Sequence, residues 1–72
     1  MKAKIITRYD NSPIREKTFV YILYGSKEYD AYIAKAEGDI VEFILEGQLK
    51  PEKESEIYII KSGQKIVKLK II

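Results

Sequence analysis

Apolar and polar residues alternate along most of this chain, with the two-residue period of strands that bury one face. From Lys2 to Tyr9, the residues Ala3, Ile5, Thr7 and Tyr9 share one face, and Lys2, Lys4, Ile6 and Arg8 share the other. Asp10-Asn11-Ser12-Pro13 is a dense turn signal. A second strand is predicted from Arg15 to Tyr24. Its middle, "TFVYILY", is apolar on both faces, which predicts a central strand with Tyr21 inside a hydrophobic run. "YGSKEY" then reads as a hairpin loop, with Tyr24 and Tyr29 near enough to pair across it.

The stretch "KEYDAYIAKAE" supports two readings. As a strand it sets Tyr29, Ala31 and Ile33 on one face. As a helix over 27–37 it aligns Tyr29, Tyr32, Ile33 and Ala36, with Ser26 as N-cap and Gly38 beyond the end. The strand is preferred because "IAKAEGDIVEFIL" places two apolar runs around Glu37-Gly38-Asp39, the pattern of a tight hairpin. Asp39 to Glu46 also fits a short capped helix, but its β-branched residues oppose that. "GQLKPEKESE" is a polar loop. Glu56–Lys61 and Gln64–Ile72 form a last hairpin across Ser62-Gly63.

The predicted fold is therefore all-β, a six-stranded antiparallel meander curled into a small barrel or a two-layer sandwich. The competing architecture is α+β, with the one helix at 27–37. Seventy-two residues make a single small β domain, 1–72. So short a chain buries only about 60% of its unfolded surface and gains from any added support. Thirteen isoleucines and a Lys/Glu-rich charge set give the bias of a heat-stable protein. The longest apolar run, Phe19 to Tyr24, is far below the roughly 18 residues of a spanning helix, and Ile5-Ile6 is too short for a secretory core. A soluble cytoplasmic protein that contacts no membrane is expected.

Composition excludes most catalysis. The chain has no Cys and no His, so Ser-His-Asp, Cys-His and zinc-cage chemistry are ruled out, as is a disulfide framework. No glycine-rich phosphate loop or EF-hand loop occurs. Ser12, Ser26, Ser55 and Ser62 fall in turns, where backbone hydrogen bonding accounts for them. Asp39, Glu42 and Glu46 cluster in sequence, but on a strand Glu42 and Glu46 lie about 13 Å apart, beyond the span of one ion. The expectation is a binding module that is not an enzyme and needs no cofactor or metal.

Charge is the unusual feature. Residues 1–27 carry six basic and two acidic side chains. Residues 28–56 carry three and nine, and residues 57–72 four and none. Basic ends around an acidic middle fit internal ion pairing between strands. They also fit a segregated surface. If the first and last strands are neighbours, Lys2, Lys4, Arg8, Lys68 and Lys70 gather into a phosphate-binding face for DNA or RNA, with little sequence preference. Tyr24, Tyr29 and Tyr32, flanking the first hairpin, are the rings expected to be exposed for stacking, although Tyr29 and Tyr32 lie in the acidic third. A third reading is self-association or a protein partner. It pairs the terminal strand as a free edge in a homodimer, or buries Ile6, Ile66 and Ile72 against another chain.

Overall fold

A computed structural model describes residues 1–72, the side chain of Gln48 excepted. It contains six strands: β1 (Lys2–Arg8), β2 (Thr18–Tyr24), β3 (Lys27–Glu37), β4 (Ile40–Leu45), β5 (Glu56–Lys61) and β6 (Gln64–Ile71). A single 3₁₀ turn, Glu46–Gln48, follows β4. Residues 27–37 are strand throughout, so the helical alternative is not realised. Among the described residues, no helix is long and apolar enough to cross a membrane.

The strands close into a barrel in the order β1-β4-β3-β2-β5-β6, and every pairing is antiparallel. The expected small all-β barrel forms, but its strand order departs from a plain meander. β2, β3 and β4 follow one another through hairpins, and β1 returns beside β4, which is a Greek-key arrangement. The segments 9–17 and 46–55 are long enough to cross an end of the barrel. Periodicity reports which face a residue takes and is silent on which strand lies alongside.

The ladders differ in length. β2 pairs with β3 along its whole course, from Thr18↔Ile33 to Tyr24↔Lys27, and β5 pairs with β6 from Glu56↔Lys70 to Lys61↔Gln64. By contrast β2 meets β5 in register only over Tyr21–Leu23, and β1 meets β4 in register over Lys2–Lys4, with one backbone bond beyond each end, from the Phe43 amide to the Met1 carbonyl and from the Ile5 amide to the Asp39 carbonyl. These two short seams divide the barrel into halves, β4-β3-β2 and β5-β6-β1.

Three tight turns carry the hairpins. Ser62 and Gly63 both take positive φ, 53° and 76°, as a type I′ turn requires. Gly38 (φ 59°) opens the turn between Glu37 and Ile40, which pair. The first hairpin turns on Gly25-Ser26 alone, so Tyr24 opposes Lys27, and Tyr29 opposes Ile22 rather than Tyr24.

The interior is filled by Ala3, Ile5, Ile22, Ala31, Ile33, Val41, Phe43, Leu45, Ile57, Ile59, Ile66, Val67, Leu69 and Ile71. Among the described residues no polar or charged side chain is buried. A closed ring of strands around such a core leaves no room for an internal ligand. Bulges at Ile6, Ala34 and Ile66 bend the strands enough to close the ring. The bulge at Ile66 also explains why the consecutive residues Ile66 and Val67 are both buried.

Candidate docking face

The outer wall carries two unlike surfaces. On the half-barrel β5-β6-β1, Lys4 opposes Lys70, Lys68 opposes Tyr58, and Lys2 opposes Glu42 of β4. The first and last strands are therefore neighbours, and Lys2, Lys4, Lys68 and Lys70 share the outer face. Arg8 does not join them. The extra residue at Ile6 reverses the alternation, so Thr7 falls opposite Lys68, and Arg8 falls opposite the buried Val67. Arg8 instead lies at the barrel end beside Pro13, Ile14 and Gly38. The same reversal leaves Tyr9 half exposed rather than in the core, its amide donating to the Ile66 carbonyl at 2.8 Å.

Carboxylates intrude on this lysine face. Lys68 Nζ lies 3.2 Å from Glu56 Oε1, and that hydrogen bond and charge raise the lysine pKa above its ordinary value. Lys70 also opposes Glu56, and Glu42 stands in register between Lys35 and Lys2. Lys65 Nζ sits 4.1 Å from the centroid of the Tyr58 ring and Lys68 Nζ 5.9 Å, so both cations lean on one aromatic ring. Glu42 thus stands among lysines, although the ion pair of Lys35 is with Glu37, at 3.5 Å, and Asp39, Glu42 and Glu46 do not assemble. Among the described residues no group of three potential metal ligands converges.

The half-barrel β4-β3-β2 shows the opposite character. Phe19, Tyr32 and Ile44 stand in register across its three strands. Phe19 is 78% exposed and Ile44 61%, while the Phe19 and Tyr32 rings tilt together with centroids 5.1 Å apart. Two residues along β2, Tyr21 is 57% exposed, set between Ile60 of β5 and Asp30 of β3. The doubly apolar β2 is not buried on both faces, because nothing in the fold covers its outside. Of the three tyrosines expected to be exposed, Tyr24 and Tyr29 pack against the core, and Tyr32 turns outward but is half-buried beside Phe19.

Phe19 forms a ridge between two hollows. On the β5 side, a groove of about 400 Å³ runs between β2, the end of β5 and residues 12–15. Its walls include Phe19, Tyr21, Ile60, Arg15 and Lys61, and no carboxylate. The Ser12 amide donates to Asp10 Oδ1 at 2.8 Å, and the Thr18 hydroxyl donates to the Arg15 carbonyl at 2.7 Å. Glu16 Oε2 accepts from the Ala36 amide at 2.8 Å, which ties this loop to β3. These local bonds set the loop that presents Arg15. On the β4 side, a shallower hollow holds Tyr32, Ile44, Asp30 and Glu46, and no cation. The sequence signal for this face was the run "TFVYILY", in which every outward position of one strand is apolar. Compared with protein families, curated proteins and solved structures, the chain matches none.

Proposed function

We propose that this barrel is a non-enzymatic docking module that holds a protein partner on the outer face of β2, β3 and β4. The observation that carries the reading is the outward row Phe19, Tyr32 and Ile44 with Tyr21 beside it, in which Phe19, Ile44 and Tyr21 are bare and Tyr32 is half-buried, on a wall that folding does not require to be apolar. Burying one such side chain is worth roughly 1.5–3 kcal/mol, and aromatic residues dominate the centres of protein interfaces. A patch of this kind on so small a body is the mark of an interaction site. The absence of cysteine fits a cytoplasmic setting.

A photo-reactive phenylalanine analogue at position 21 tests the assignment. It should couple to polypeptide, the coupling should vanish in Phe19→Asp, and the same analogue at position 4 should not couple. Coupling to nucleic acid in place of polypeptide, or coupling indifferent to Phe19, overturns it.

A second reading, DNA or RNA binding through Lys2, Lys4, Lys68 and Lys70, is favoured by one observation: Lys4 and Lys70 face each other directly. Glu42 and Glu56 stand against it, since each lies within the same register rows. Its test is salt. Affinity for an oligonucleotide should fall steeply between 50 and roughly 200 mM salt, and a flat response removes the reading.

A further inference from the structure

We infer that the partner on this face is a second copy of the same chain, docked about a two-fold axis that passes beside Phe19; the inference rests on the docking reading above. The groove on the β5 side of Phe19 carries Arg15 and Lys61 without a carboxylate, and the hollow on its β4 side carries Asp30 and Glu46 without a cation. β2 lies between β5 and β3 in the ring, so the two hollows fall on opposite flanks of one strand. The face thus has an apolar centre, a positive flank and a negative flank.

Turn a copy of such a face over about an axis in the contact plane, parallel to β2. Each positive flank then lies on the partner's negative flank, and the two apolar centres meet. That is the self-complementarity an isologous contact demands. A foreign partner would need the same pattern by coincidence, whereas a second copy has it by construction. The bare residues are also the kind that anchor an interface, with aromatic rings at the centre and charges at the rim. The chain gains from the pairing, because it has 72 residues and no disulfide to support it.

The contact differs in kind from edge pairing. β6 is bonded to β5 on one side and to β1 on the other, so the terminal strand offers no free edge to another chain. Ile66 is buried in the core, which removes it from any surface. Ile6 and Ile72 are exposed, but on the lysine half of the barrel. Association through the edge strand is replaced by association face to face. The whole body measures 27 × 24 × 22 Å, so one face can supply little more than the roughly 800 Å² per partner of a standard interface. The association is reversible, so the mass depends on concentration.

Sedimentation equilibrium of the pure protein across loading concentrations tests this. The apparent mass should climb from 8.4 kDa toward twice that value. Phe19→Asp should weaken association by about 30-fold or more, as loss of a central anchor does. The decisive arm uses two charge-inverted chains, Arg15→Glu/Lys61→Glu and Asp30→Lys/Glu46→Lys. All four positions are exposed, and an unchanged circular dichroism spectrum confirms that each variant folds. Each should be monomeric alone, because both its flanks carry one sign. Mixed one to one, they should associate as well as the native chain. A native chain that stays monomeric up to about 1 mM overturns the inference. So does a dimer indifferent to Phe19, or a mixture that fails to restore association. If the native chain is monomeric while the analogue at position 21 still couples to another protein, the docking face stands and only the second copy is wrong. Coupling to a single-stranded oligonucleotide would remove both.

Discussion

β2 and β6 flank the same strand, β5, and turn alternate side chains inward. β2 sends Val20, Ile22 and Tyr24 toward the core, and β6 sends Val67, Leu69 and Ile71. Inside they are equivalent. Outside, β6 carries Lys65, Lys68 and Lys70, whereas β2 carries Phe19, Tyr21 and Leu23. The lysine strand shows that this barrel needs no apolar residue on its outer wall. Hydrophobic burial therefore accounts for one face of β2 and leaves the other unexplained by folding. An exposed apolar residue is informative only against such a control, and here the control lies within the same small ring.

The sharpest way to break the comparison is to truncate one phenylalanine from each side of the wall. Phe43, buried in the core, should cost about 3–5 kcal/mol on replacement by alanine, measured by chemical denaturation. Phe19→Thr should cost no more than about 1 kcal/mol, chiefly the ring pair with Tyr32. If Phe19 proves as costly as Phe43 at dilutions where the chain is monomeric, its exposure has a folding cause and the docking argument fails.

A smaller effect is expected at the type I′ turn. Ser62 holds φ at 53°, which asparagine tolerates better, so Ser62→Asn should stabilise the chain by about 0.5 kcal/mol. On the lysine wall, Lys4→Glu should relieve the like-charge contact with Lys70 and stabilise by a few tenths of a kcal/mol. A loss of stability there would mean that Lys4 has a partner the register does not show.

The smallest effect concerns the ion pair of Lys68 with Glu56. The carboxylate raises the lysine pKa in the folded chain, so the stabilisation is complete below the ordinary lysine value of 10.5. It is lost as pH rises through the raised value. Glu56→Gln should therefore lower the melting temperature slightly at neutral pH, and as pH is raised from neutral the difference from the native chain should close only above pH 10.5. A gap that closes between pH 7 and 9 would assign the effect to another group.

Much of this was legible in the sequence. Alternation found the strands, and the glycines at Gly38 and Gly63 found their turns. The strand over 27–37 won over a well-formed helical pattern because its hairpin partner followed at once. Side-by-side placement of the terminal strands, with Lys4 against Lys70, was also within reach. Three things were not. The pairing of β1 with β4 depends on how segments 9–17 and 46–55 cross the barrel ends, and no periodicity encodes that. The bulge at Ile6 adds a residue without a glycine to announce it, so simple alternation places Arg8 on a face it does not occupy. The exposure of Tyr21 over Tyr24 and Tyr29 reversed the expectation, because a run apolar on both sides was read as covered on both sides. A closed ring six strands around has an inside it must fill, and an outside that only another molecule can cover.

The short seam where β2 touches β5 has one more consequence. Each half-barrel is knit by long ladders, so thermal breathing should concentrate at the two brief joints, and one of these borders the groove walled by Arg15 and Lys61. Whatever leans on Phe19 and Ile60 together spans that joint like a clasp. Occupancy and heat resistance are then a single thermodynamic quantity, and the melting midpoint should climb with the logarithm of the free concentration of whatever does the clasping.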